Sequence, residues 1–203
     1  MKNKILLTFL VAMLAFGTHA QIFEKYRFGF GGGFAVPTGE SSRFGVLAYI
    51  DSSYPVNNAL RLGVRAEWIL MSLGLPDGRK YGTPMRAGYT ANAKYYLNTG
   101  DHRFFCGGGL GFYRLGPVRY IDETSGGLLG YDKVAITLAE TRFGFYPSIG
   151  FENRTLAISL DYNFIPSTAV TEPGNNARIK NGFFGIHVGA LLRAHKPGGS
   201  KKV

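Results

Sequence analysis

Seven charged side chains and one histidine carry most of the chemistry open to this 203-residue sequence. Arg61, Arg65, Glu67, Lys94, Arg142, Glu152 and Asp161 each fall at alternate positions within apolar stretches, as His187 does. Strand side chains alternate faces, so this spacing puts the eight on one side of a sheet. Enclosed in a narrow space they would have to pair, with guanidinium and ammonium groups bonded to carboxylates. The bases in the set outnumber the acids by four to three, which leaves room for a resident anion or a water cluster. Two readings follow: structural filling, and a path for protons or a solute.

His187 could serve as a catalytic base only beside a nucleophile and an acid. Ser148 and Ser159 are the candidates, and nothing in the sequence makes their strands adjoin that of His187. A hydrogen-bonded structural histidine is the plainer reading. His102 falls in a short turn and His195 in the C-terminal tail. Histidine and the lone Cys106 are too few and too scattered for a metal constellation, so no catalytic, cofactor or metal site is expected. The glycine runs at Gly31 to Gly33 and Gly107 to Gly111 lack the spacing of phosphate-binding loops and open no helix, and strand packing accounts for them. Asn153-Arg154-Thr155 matches a glycosylation sequon by accident of a tight turn. Arg79, Lys80, Arg119, Lys133, Arg178 and Lys180 stand in the longer connections, where they either pair with lipopolysaccharide phosphates or form a solvated surface.

The elements that must position these groups are strands. The stretch Leu156 to Phe164 places Leu156, Ile158, Leu160, Tyr162 and Phe164 on one face and Ala157, Ser159, Asp161 and Asn163 on the other. Nine residues at about 3.3 Å each span roughly 30 Å, the reach of a strand crossing a bilayer. Seven further strands are expected over Tyr26 to Val36, Phe44 to Tyr54, Leu60 to Leu70, Arg86 to Leu97, Phe104 to Leu115, Thr141 to Glu152 and Phe183 to Arg193. The facing of the second is ambiguous, because Leu47 and Tyr49 oppose Phe44, Val46 and Ile50. Pro147 lacks an N–H and predicts a bulge.

Connection lengths alternate. Val56 to Ala59, Asn98 to Arg103 and Asn153 to Thr155 are short, whereas Pro37 to Arg43, Met71 to Met85, Gly116 to Glu140 and Ile165 to Gly182 are long. Transmembrane barrels show this asymmetry, and a sandwich has no need of it. The face opposite the apolar one is rich in glycine with scattered charges, which suits the inside of an eight-stranded barrel barely wide enough for side chains. Tyr54, Trp68, Tyr95, Phe104, Phe112, Phe143, Phe151, Phe164 and Phe184 sit toward strand ends, as interfacial aromatic girdles do.

Residues 1–20 read as a cleaved secretory signal: Lys2 and Lys4, an apolar run from Ile5 to Phe16, then Thr18-His19-Ala20. A dozen apolar residues fall short of the roughly 20 a helical anchor needs. Removal of the two lysines lowers the formal charge from +10 to +8 (10 − 2 = 8). One cysteine excludes an intramolecular disulfide framework. Export, and the lack of a concentrated basic stripe, argue against nucleic acid as a partner.

Beyond these patterns the chain resembles the small eight-stranded outer-membrane β-barrel proteins of the Bacteroidota, related in architecture to the OmpA, OmpX and OmpW type. The residues that carry the likeness are the cut before Gln21, the stretches Gly31 to Gly39, Gly107 to Tyr113 and Phe143 to Glu152, and Asp161-Tyr162-Asn163. The tail His195 to Val203 departs from the terminal aromatic of proteobacterial barrels. The resemblance implies an all-β, eight-stranded antiparallel up-and-down transmembrane barrel over 21–194, with a polar tail at 195–203. It implies outer-membrane lipid, lipopolysaccharide and the barrel-assembly machinery as partners. The expected role is structural, adhesive or otherwise at the surface, without enzymatic activity. A narrow channel, a lipid-modifying enzyme and a secreted soluble ligand-binding barrel are the alternatives.

Overall fold

The computed structural model describes residues 26–39, 43–72, 84–98, 100–127, 130–135, 137–169 and 178–193, with residues 43, 72, 119–127, 130–135 and 193 described by their backbone alone. The expected signal segment at 1–20, the tail at 195–203, and Arg79 and Lys80 lie outside the described residues.

The strands in chain order are β1 (Arg27–Pro37), β2 (Arg43–Pro55), β3 (Leu60–Ser72), β4 (Met85–Tyr96), β5 (Arg103–Leu115), β6 (Arg119–Gly127), β7 (Gly130–Ala135), β8 (Glu140–Glu152), β9 (Leu156–Asn163), β10 (Thr168–Ala169), β11 (Arg178–Ile179) and β12 (Phe183–Arg193). Eight of them close into an antiparallel barrel in the order β1-β12-β9-β8-β5-β4-β3-β2. The β1–β12 pairing, from Arg27 opposite Arg193 to Pro37 opposite Phe183, seals the first strand to the last. Closure leaves the barrel no free sheet edge along this seam, the standing hazard of open β proteins. Two features go beyond the expected eight strands. Hairpin β6–β7 rises within the longest connection, and β10 pairs with β11 in the last one.

Facing follows the period of two. Phe28, Phe30, Val46, Ile50, Val64, Tyr89, Leu110, Ile149, Leu160 and Val188 point outward and are exposed, while Arg65, Glu67, Lys94, Glu152 and Asp161 point inward and are buried. The ambiguity at β2 resolves with Leu47, Tyr49 and Asp51 inside and Phe44, Val46 and Ile50 outside. Pro147 does not form the expected bulge: β8 stays in register with β5 throughout, with Gly108 opposite Pro147. Phe145 exchanges backbone hydrogen bonds with Phe164 of the neighbouring chain segment, so two residues on the missing Pro147 N–H also faces β9. The ladder loses its β9 partner there without changing register, since Phe145–Phe164 and Ser148–Asp161 keep the same offset.

Each short turn is closed by an asparagine side chain. Asn57 Oδ1 accepts from the Ala59 and Leu60 amides at 2.8 and 2.7 Å, and Asn153 Oδ1 from Thr155 and Leu156 at 2.8 and 2.7 Å. In the turn between β4 and β5, Asn98 Oδ1 accepts from Phe104 N at 2.8 Å and Gly100 takes a φ of 121°, a region open to glycine. Arg154 bonds Asp101 across two of these turns at 2.5 Å, and that carboxylate lifts the guanidinium further above its ordinary pKa.

Inward glycines make room for rings. A Cβ on Gly109 would stand 2.6 Å from Cζ of Tyr146, and one on Gly88 2.9 Å from Cε1 of Tyr113. The lumen is thereby filled from wall to wall by side chains, as an eight-stranded barrel permits.

Candidate functional site

The interior divides into layers along the barrel axis. Nearest the short turns, Glu152 of β8 is the hub. It accepts from Lys94 Nζ at 3.0 Å, Tyr96 Oη at 2.6 Å and Arg27 Nη1 at 3.3 Å. Lys94 also donates to Asp51 at 2.9 Å. The Arg61 guanidinium lies 6.0 Å from the Tyr96 ring centre and that of Arg103 5.3 Å from it, so the tyrosine ring carries two cations on its faces.

One layer up, Asp161 of β9 accepts from Arg65 Nη1 at 2.9 Å and from Asn163 Nδ2 at 2.8 Å. His187 of β12, fully enclosed, has Nε2 at 2.6 Å from Glu67 and Nδ1 at 3.4 Å from Asp161. The Arg65 guanidinium sits between the rings of Tyr49 and Tyr146, at 5.6 and 5.0 Å. Above them Tyr113 donates to Asn163 at 2.7 Å, and Arg86 donates to Asn181 Oδ1 and its backbone carbonyl at 2.9 and 3.1 Å.

At the loop end the chemistry changes. Leu47, Ile69, Met71, Leu115, Val118, Ile165, Ile179 and Phe183 form a buried apolar cluster across the mouth. Ion pairs therefore fill the turn side and middle of the lumen, and an apolar stopper closes the other end.

Of the eight residues read from the sequence as the polar set, Arg61, Arg65, Glu67, Lys94, Glu152, Asp161 and His187 are buried in these layers. Arg142 is not among them. It lies too near the mouth on β8, 37% exposed, and pairs with Glu140 at 2.7 Å. Arg27, Asp51 and Arg86 belong to the buried set and were passed over; the inward parity of Arg27 on β1 and Arg86 on β4 was available, whereas that of Asp51 was hidden by the ambiguous facing of β2. Among the described residues the buried charged side chains are then Arg27, Arg61, Arg65, Arg86 and Lys94 against Asp51, Glu67, Glu152 and Asp161, five bases to four acids. Asn92 and Thr90, both buried, add neutral polar groups beside Asp51 and Tyr146 in the middle of the lumen.

Of the two serine strands, β9 adjoins that of His187 and β8 does not, although β8 and β9 adjoin each other. Ser148 stands opposite Asp161 and Ser159 opposite His187. Yet His187 Nε2, the nitrogen that would take a serine proton, is engaged by Glu67. His102 is in an exposed turn against the Phe151 ring, and Cys106 points outward. No group of three or more potential metal ligands occurs among the described residues. Of the six loop cations, Arg178 and Lys180 are described with their side chains, and both are exposed.

No protein-family model matches the chain, and neither does any curated protein. Solved structures do. The crystal structure of Neisserial surface protein A (NspA) superposes with a TM-score of 0.54 at 19% identity, covering 83% of this chain and 96% of that one. The outer membrane protein OprG of Pseudomonas aeruginosa is similar with a TM-score of 0.44 at 15% identity over 86% and 99% of the two chains. Ail, the attachment invasion locus protein of Yersinia pestis, gives 0.39 at 10% over 82% and 96%. The match to NspA shows a shared fold, the closed eight-stranded antiparallel barrel.

Proposed function

We propose that the chain is an integral outer-membrane barrel with a structural, adhesive or surface-contact role and without enzymatic activity. The observation that carries this is the inversion of the two faces. Large apolar side chains such as Phe30, Val64, Leu110, Ile149 and Leu160 are exposed around the whole wall, while Asp51, Arg65, Glu67, Glu152 and Asp161 are enclosed. A wall of that composition is unfavourable in water and favourable in hydrocarbon. A soluble ligand-binding barrel would need the opposite arrangement. The fold shared with NspA and the alternation of short turns with long connections support the same reading. The likeness to the Bacteroidota type rests on the sequence motifs alone.

Fractionation tests it. Expressed with its own N-terminal segment in a Gram-negative host, the protein is expected to resist carbonate extraction and to run on gels as a band that shifts on boiling. A product soluble without detergent overturns the reading.

Export through the N-terminal segment and assembly by the barrel-assembly machinery are part of this proposal, as is contact of the loop cations with lipid or lipopolysaccharide phosphates. The non-enzymatic reading rests on His187, whose nitrogens are both turned to carboxylates in a closed interior. A lipid-modifying activity would show as a mass change in lipid A on expression of the gene.

A further inference from the structure

Among the described residues the barrel wall is interrupted between β8 and β9. Strand β8 pairs with β5 along its whole length, from Glu140 to Glu152. On its other side it pairs with β9 from Ser148 to Glu152, with one further bridge between Phe145 and Phe164. Beyond that bridge the chain leaves the wall: Ile165 turns inward, and β10 pairs with β11 across the mouth. By the alternation of an antiparallel ladder, the backbone groups of Thr141 and Phe143 face this gap with no strand opposite them among the described residues.

The gap is a groove of about 500 Å³ on the outer surface at the loop end. Its wall is aromatic: Phe145 stacks on Phe164 at 4.8 Å, and Tyr162 meets Phe164 edge-on at 4.3 Å. Phe143 lines it as well, and Ser167 and Lys180 stand at its polar end. No residue that lines it carries a carboxylate. Ile179 is buried, so Arg178 and Lys180 on either side of it both project outward, and Lys180 is the lining cation. Asn181 fixes the strand of chain that carries Lys180. Its amide donates to Pro166 O at 2.7 Å and to Thr168 Oγ1 at 2.9 Å, and its carbonyl groups are held by the buried Arg86.

We propose that this groove is a docking site for one anionic membrane lipid, with an acyl chain against the rings of Phe143, Phe145 and Phe164 and the headgroup phosphate on Lys180. The inference rests on the membrane reading above. Charge selects the occupant: the groove offers a cation and no acid beside an apolar trough that opens at the end of the hydrocarbon-facing wall.

The test uses the full chain folded in detergent micelles, with folding checked first by the gel shift on boiling. Native mass spectrometry then counts retained phosphatidylglycerol and phosphatidylcholine of equal chain length. Wild type is expected to retain one phosphatidylglycerol in preference, and Lys180→Gln to lower that retention about fivefold, the effect of one cation near an anionic headgroup. Arg154→Gln, which removes an exposed cation from the short turn between β8 and β9 at the opposite end of the barrel, is expected to leave it unchanged. A six-carbon phosphatidylglycerol should bind more weakly, and inorganic phosphate should not displace the lipid. Equal loss in both variants, no loss in Lys180→Gln, or displacement by phosphate overturns the site. Failure of the wild type to fold in micelles overturns the membrane reading itself.

Discussion

Asp161 is the residue on which the middle of the lumen turns. Its carboxylate accepts from Arg65 and Asn163 and faces His187, and its side chain is wholly shielded. In so dry a position the guanidinium cannot recover hydration once the carboxylate is gone. Asp161→Ala is therefore expected to destabilise the barrel by about 3 to 5 kcal/mol, the usual cost of stranding one member of a buried ion pair. Thermal unfolding followed by loss of the gel shift reads this directly, and an unchanged midpoint would sink the claim that the lumen is a paired plug. Replacing Arg142 by Gln should do far less. Its pair with Glu140 is partly exposed, and pairs of that kind contribute about 0 to 1 kcal/mol. The contrast between two charges on neighbouring strands tests the layering, because parity alone places both on the same face.

At the scale of elements, the turns and the ladder divide the work. Asparagine closes each of the three short turns through its side-chain oxygen, a local device that needs no tertiary partner. Asn153→Ala removes the acceptor for two amides between β8 and β9, and the expected loss is about 1 kcal/mol in urea unfolding. The site matters because β9 is the shortest barrel strand and its pairing with β8 is confined to the turn side. A loss no larger than that of an exposed strand alanine would show that the turn carries no register information. Pro147 belongs to the same seam. Its missing donor faces β9, so the interruption of the ladder there is a property of one residue, while β5 holds the strand straight on its other side.

For the whole molecule, the decisive feature is that polar layers and an apolar stopper occupy one lumen. A path for ions has to cross Leu47, Ile69, Met71, Ile179 and Phe183, which together close the loop end. Planar bilayers containing the folded protein are expected to show no steady conductance. A sustained open level would mean that the stopper moves, and would revive the channel alternative.

The facing of nearly every strand could be read from the chain, because the period of two is a property of the backbone and each strand records it within a dozen residues. Short and long connections, and the glycine-rich composition of the inward face, were legible for the same local reason. What meets what was not. Arg27 and Glu152 are 125 residues apart, and Arg65 and Asp161 are 96 apart. Their contact depends on the stagger accumulated around a closed sheet, which no single strand encodes. That stagger sets height along the axis: it lifts Arg142 to the rim, brings Arg27 and Asp51 into the plug, and gathers Leu47, Ile69 and Phe183 into the stopper. Local alternation decided inside from outside, and closure of the barrel decided which inward side chains share a level.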